Sequence, residues 1–312
     1  MSRKHASQAP VLIVYVVTML ICFVIFGSAA VALLDKFVTQ PKQDKLNQQE
    51  NSQQTVVDNE NDYASARRTA LFVCAEGETI NSMALLRILP DTLTVKVVPI
   101  SPQTLATVGD TGGTLAQLFE AGGFTYLYKG IEDAFGITPE KYIKINNEGW
   151  TRLVEYLGGT STYVFPHDLY YKDEISGSLT SFSHGPATRT LWGDDINKII
   201  NYPLYENGAK DQNSVTGEIA VCLINSACYT NSSALVSNIQ NVFNTIYNNS
   251  DTDITSKDFK NSRDAYEYLI DKADQPAVYR LPSGEWDDKE RFTVSEEFRA
   301  ELVTYFELGE SK

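Results

Sequence analysis

Histidine is nearly missing from this chain: three residues in 312, at His5, His167 and His184. Cysteine is scarce too, with only Cys22, Cys74, Cys222 and Cys228. The motifs built on these residues are missing with them. There is no H-E-x-x-H and no C-x-x-C, nor is there a G-x-S-x-G elbow or a phosphate-binding Gly-rich loop ending in Lys. Zincin, thiol-redox, α/β-hydrolase and nucleotide-triphosphatase chemistry therefore lack their signatures. A disulfide framework is excluded as well. Cys22 lies in an apolar run, which leaves an odd three, and Cys222 and Cys228 read as one helix whose six-residue rise of about 9 Å exceeds the Cα separation of a bridge. Buried free thiols are expected.

Positive charge is also in short supply. Lys and Arg number 26 against 40 Asp and Glu, a formal charge of −14. Residues 1–34 hold two of those bases, Arg3 and Lys4, and no acid, so the remainder carries −16. No electropositive field offsets phosphate repulsion, which excludes nucleic acid as a partner of the main body.

Long apolar runs are limited to one. Val11 to Leu34 contains no charge, and as a helix it reaches about 36 Å, enough to cross a hydrocarbon core of about 30 Å with some tilt. Arg3 and Lys4 precede it, while Asp35 and Lys36 cancel after it, so the positive-inside bias predicts a cytoplasmic N-terminus and an extracellular remainder. The small-residue patterns Ser28-Ala29-Ala30 and Ala30-Val31-Ala32 keep a cleaved signal peptide open as the alternative. Cys22 follows Leu20-Ile21 and is no lipoprotein acylation site. The expected organisation is a cytoplasmic tail at 1–10, a single-pass signal anchor at 11–34, a flexible Gln/Asn-rich linker at 35–65, an extracytoplasmic domain at 66–307 and a short tail at 308–312.

Within that domain the patterning mixes strands and helices. Leu71 to Ala75 is an apolar run of the buried-strand type. Met83–Ile88, the turn Pro90-Asp91-Thr92 and Leu93–Ile100 predict a hairpin. Leu127, Ile131 and Phe135 recur at four-residue spacing. Trp150, Leu153, Val154 and Leu157 line one face of a second helix, which Gly158-Gly159 stops. Further helical stripes follow at Ile196/Ile199/Ile200, Ile219/Cys222/Leu223, Leu235/Ile239/Val242/Phe243/Ile246, Tyr266/Leu269/Ile270 and Phe298/Leu302/Tyr305, and Ala277–Leu281 fits an edge strand. The predicted fold class is α/β, a mixed central sheet flanked by helices and preceded by one transmembrane helix. Two polar clusters read as structural. His167-Asp168 with Asp173 and Glu174 forms a solvated surface rather than a cation site, and Asp194-Asp195 after Gly193 caps a helix start.

The stretch INSMALLRILPDTLTVKVVPISPQT at 80–104 resembles, in register and without a gap, the opening of LytR-CpsA-Psr domains. TLAQLFEAGG at 114–123, NEGWTRLVEYLGG at 147–159 and LWGDDINKIINYP at 191–203 are similar to later landmarks of that family. The resemblance covers about residues 66–307. It implies extracytoplasmic phosphotransfer of glycopolymers from a polyprenyl-pyrophosphate carrier to peptidoglycan. The family does this with an Arg cluster on the pyrophosphate, carboxylates with Mg²⁺, and an apolar tunnel for the lipid.

This chain departs from that pattern where the chemistry lies. The family's Asp falls on Asn81, its adjoining Arg and Asp on Pro102 and Gln103, its Lys on Thr114, and its Arg pair on Asn201 and Pro203. Where the family places further Arg residues, the chain reads Gly208-Ala209-Lys210-Asp211-Gln212-Asn213. What persists is scaffold, including Met83, Pro90, Thr92, Gly122-Gly123 and Gly193. Arg87, Arg152, Arg189 and Lys210 are available as replacements, but Arg87 reads as outward-facing on its strand and Arg152 as flanking a core stripe.

The expectation is a degenerate pseudo-enzyme of the Gram-positive-type envelope that binds a polyprenyl-linked precursor, a wall polymer such as peptidoglycan, or a paralogue. No catalytic residue, metal ligand or cofactor is expected. Mg²⁺ enters only if the alternative holds, an active glycopolymer phosphotransferase; a third alternative is an envelope adhesion module without lipid binding. Asn81, Gln103, Asn201 and Asp211 are the candidate pocket residues. An apolar tunnel between the sheet and the helices near 127–135 and 235–246 favours lipid binding, and a filled core there favours the third alternative.

Overall fold

A computed structural model describes residues 59–309. The anchor at 11–34, His5, Cys22 and most of the linker lie outside the described residues.

Six strands form the central sheet: β1 (Arg68–Glu76), β2 (Thr79–Leu89), β3 (Thr94–Pro99), β6 (Lys141–Ile145), β11 (Ser250–Thr252) and β12 (Ala277–Tyr279). Their order is β11-β6-β1-β2-β3-β12. β1, β2 and β3 run antiparallel in turn. β6 pairs parallel with β1, and β12 pairs parallel with β3. The expected hairpin is present, its corner a 3₁₀ turn at Pro90–Thr92 with Leu93 in the left-handed region. β4 (Leu105–Val108) and β5 (Thr111–Thr114) form a separate two-stranded ribbon. The other ribbons are β7 (Val164–Phe165) with β10 (Gly185–Pro186), β8 (Leu169–Lys172) with β9 (Leu179–Phe182), and β13 (Gly284–Trp286) with β14 (Phe292–Val294).

Seven helices are described: α1 (Leu115–Phe135), α2 (Asn147–Leu157), α3 (Gly193–Ile200), α4 (Ala209–Thr230), α5 (Ser232–Asn249), α6 (Ser256–Lys272) and α7 (Glu296–Tyr305). Thr114 opens α1 with a capping box through Gln117, and Gly122-Gly123 kinks it. Asn146 caps α2, and Gly158, left-handed at φ 87°, closes it because a side chain there is strained. Asp195 accepts from Trp192 N–H at the start of α3, which is the capping role expected of the acidic pair. The thiols of Cys74, Cys222 and Cys228 are free.

The alternation of β1 splits the core in two. Leu71 and Val73 face α1 and α7, packing with Leu85, Val98, Leu127, Ile131, Phe135, Phe298 and Leu302. Phe72 and Cys74 face the opposite side, toward Trp150, Val154, Ile196, Ile219 and Leu223. Residues 127–135 and 235–246 therefore lie on opposite faces of the sheet and do not border one common tunnel. Arg87 corrects the sequence reading as well. It is buried at 6% exposure, with Nε donating to Phe306 O at 2.9 Å and Nη1 to Thr69 Oγ1 and Glu140 Oε1. The end of α7 docks on that strand and supplies carbonyl acceptors, as cations at a helix C-terminus prefer.

Candidate functional site

β1, β6 and the start of β2 bring Cys74, Asn147 and Asn81 to one end of the sheet. There a single oxygen takes three donors: Asn147 Oδ1 accepts from Asn81 Nδ2 at 2.7 Å, Asn197 Nδ2 at 3.5 Å and Cys74 Sγ at 3.7 Å. Asn147 N–H in turn donates to Glu76 Oε2 at 3.2 Å. Asn201 stands apart, donating Nδ2 to the backbone carbonyl of Asn197 one turn back at 3.0 Å. Of the two, Asn81 alone belongs to this neutral amide network. Asn147 and Asn197, which complete it, carry no charge and belong to no motif, so nothing in the sequence marks them. Burial pushes the Cys74 thiol up to about 12, which disfavours its thiolate at neutral pH.

Gln103 lines an adjoining polar hollow of about 430 Å³ with Thr79, Ile80, Thr114, Gln117 and Gln212, at the start of β2 just before Asn81. The charged residues lining it are Glu78 and Glu120, with no Lys or Arg among them. Asp211 accepts from Asn207 N–H at 3.0 Å and Asn207 Nδ2 at 3.2 Å, so it serves as a local turn brace. The cations weighed as replacements have partners: Arg152 with Glu148 at 2.6 Å, Arg189 with Asp195 at 2.5 Å, and Arg87 within the core below α7. Lys210 is exposed on the first turn of α4.

A second space lies behind the sheet. A cavity of about 330 Å³ runs between β1, β2, β3 and β6 on one side and α4, α5 and α6 on the other. Its walls include Ala70, Leu86, Ile88, Ile143, Ala227, Leu235, Ile239, Val242, Phe243 and Leu269. The stripe of α5 that reads as ordinary core therefore faces empty space over part of its length.

The family model of the LytR_cpsA_psr family matches residues 22–208. The chain belongs to the LytR-CpsA-Psr family. It is thus a cell-envelope protein by descent, and its fold agrees with solved structures. A Eubacterium siraeum protein named as a transcription regulator superposes with TM-score 0.67 at 16% identity, covering 79% of this chain and 93% of that one. TagV of B. subtilis gives 0.60 at 16% identity, covering 77% and 97%. The LytR-Csp2A-Psr enzyme of Actinomyces oris gives 0.60 at 19% identity, covering 77% and 90%. No curated protein matches the sequence.

The Mg²⁺ associated with LytR-CpsA-Psr chemistry does not fit the residues found here. Asn81 presents its Nδ2 to Asn147, and the neighbouring carboxylate, Glu76, accepts from a backbone N–H. A hard cation wants several oxygen ligands. Among the described residues no group of three or more His, Cys, Asp or Glu side chains is placed to hold a metal.

Proposed function

We propose that this chain is a non-catalytic LytR-CpsA-Psr protein, anchored by residues 11–34 with its domain outside the cell, which holds a lipid chain in its apolar cavity. The observation that carries this reading is the neutral amide network at Asn81. A pyrophosphate needs converging cations, and each charge-assisted contact contributes about 1.5–3 kcal/mol. Amide–amide bonds and a hollow lined by Glu78 and Glu120 supply none of that. The 330 Å³ cavity favours a lipid-holding protein over an adhesion module, whose core would be filled. Envelope polymers such as peptidoglycan, a lipid-linked glycopolymer and an active paralogue are the partners this location offers, and no cofactor is required.

The test is calorimetric titration of the full chain with a short-chain polyprenyl pyrophosphate, with and without Mg²⁺, beside a variant carrying Pro102→Arg and Gln103→Asp. The reading expects no Mg²⁺-dependent binding by the unmodified chain, with binding regained in the variant. Saturable Mg²⁺-dependent binding by the unmodified chain, followed by polymer transfer, restores the active-enzyme reading.

A further inference from the structure

The start of α4 has no cap of its own. Its N-cap is Gly208, which offers no side chain, and the acceptor comes from 81 residues away: Ala209 N–H donates to Glu290 Oε2 at 3.1 Å. An anion is favoured at a helix N-terminus, where a side chain of the N-cap residue usually supplies the acceptor. The two residues are fitted to each other. Gly208 lies at φ +50°, and a Cβ there would run into the Glu290 carboxylate.

Glu290 reaches the helix from the turn of the β13–β14 hairpin. Asp287 N–H donates to Arg291 O at 2.9 Å and Glu290 N–H to Asp287 O at 3.1 Å. The Asp287 carboxylate ties the turn further, accepting from the N–H groups of Lys289 and Arg291, both at 2.9 Å. This closure leaves Glu290 left-handed at φ +58°, a conformation that short hairpin turns ordinarily give to glycine or asparagine. A glutamate held there is strained. What its side chain gains in return is the contact with α4.

The other arm of the hairpin is fastened separately. Phe292 N–H donates to Gln103 O at 3.0 Å, and Phe292 bridges to Thr104, with its ring buried in the core beneath α1. The hairpin thus joins the loop after β3 to the start of α4. Pro102, Gln103, Ala209 and Gln212 are walls of the polar hollow, and no residue of the hairpin lines it. The hairpin therefore leaves the hollow unfilled and sets how far apart two of its walls stand.

Unfavourable terms gather on the same two elements. Thr104 Oγ1 and Asn213 Oδ1 are buried without a hydrogen-bond partner among the described residues. Thr104 adjoins Gln103, and Asn213 lies one helical turn from Ala209. A buried oxygen without a donor is costly, and water reaching it on separation recovers that cost. Opposing these terms is one hydrogen bond to a carboxylate that is itself exposed, so closure is held by a narrow margin, as segments that open locally are.

We propose that the β13–β14 hairpin is a clasp on the polar hollow. With Glu290 on Ala209 N–H the clasp is shut; when Glu290 lets go, the start of α4 parts from Gln103 and the hollow widens, the buried Phe292 arm staying in place. This goes beyond the lipid-holding reading and requires no occupant of the apolar cavity.

Hydrogen exchange of the full chain in amphipol, read by mass spectrometry, tests it. Glu290→Gly removes the carboxylate and the backbone strain together. The expected result is exchange about tenfold faster at residues 209–213 and also at 101–104, which Glu290 does not touch, with the thermal midpoint and the exchange of β1 and β2 unchanged. Glu290→Gln, which keeps an oxygen acceptor, gives a smaller increase at both segments. Gly208→Ala accelerates the same two segments in the parent chain and adds less in the Glu290→Gly background, where the carboxylate it would strike is gone. Unchanged exchange in Glu290→Gly, acceleration that stops short of 101–104, or an equal effect of Gly208→Ala in both backgrounds overturns the clasp.

Discussion

Replacing Arg87 by Met tests how the last helix is fastened to the sheet. The side chain is 8% exposed and is paired with Glu140 at 3.1 Å, while Glu140 itself is 44% exposed. Removing the guanidinium leaves Phe306 O and Thr69 Oγ1 without the donor they share, at about 1–3 kcal/mol for each stranded buried acceptor. Glu140 is not stranded. It meets water, and it keeps Thr69 N–H at 3.1 Å, so the usual penalty for orphaning a buried charge is discounted. Met refills much of the volume, and the net loss comes to about 2–4 kcal/mol. At about 2–4 °C per kcal/mol for a domain of this size, that lowers Tm by roughly 5–15 °C. Thermal unfolding of the full chain at pH 7, followed by circular dichroism, reads the shift. Glu140→Gln costs less than about 1 kcal/mol because water already reaches the carboxylate. A fall below about 2 °C for Arg87→Met, or an equal loss for Glu140→Gln, refutes the assignment of the stabilisation to the carbonyl of Phe306.

Two further perturbations follow from backbone and burial. Gly158→Ala forces a Cβ at φ +87° against the side chain of Asn231, whose Nδ2 donates to Leu157 O at 3.2 Å. It lowers stability by about 2 kcal/mol in urea melts, whereas Gly177→Ala, left-handed but open, costs about 1 kcal/mol, and equal losses contradict this account. Burial raises the Cys74 thiol from 9.0 to about 12 and Cys228 from 9.0 to about 11. The unfolded chain therefore releases these protons first, and stability that is complete below pH 9 declines as pH rises toward 11 and 12. Cys74→Val flattens the early part of the decline in urea midpoints between pH 8 and 10, and an unchanged slope shows that the thiol is not its source.

Much of the fold is legible because single elements carry it. Trp150, Leu153, Val154 and Leu157 announce α2, and Gly158 stops it, from local spacing alone. Pro90-Asp91-Thr92 between two apolar runs announces the β2–β3 hairpin. Arg87 is different, since alternation assigns it a face, and only the distant end of α7 decides that this face is covered. The candidate site divides in the same way. Asn81 stands among amides and Gln103 in a polar hollow, yet the sequence does not say that Asn147 Oδ1 satisfies the first while the second opens on Glu78 and Glu120. The cavity is the least legible feature. Leu235, Ile239 and Phe243 have the spacing of any core stripe, and periodicity reports that a face is buried without reporting whether its partner fills the gap. Residues 127–135, expected to share that space, point through the other side of the sheet because α1 packs opposite α5.

Both margins of the central sheet are three residues long, Ser250–Thr252 and Ala277–Tyr279. The first carries the exposed Asp251, 3.5 Å from Lys144. Long flat margins recruit strands from neighbouring molecules, and short or charged ones resist it. Copies of a chain tethered to one membrane face are confined to a plane and collide far more often than in dilute solution. If this chain is anchored as proposed, its blunt margins let copies crowd together without templating one another into fibres, so the domain can be abundant at a surface and still remain a set of separate molecules.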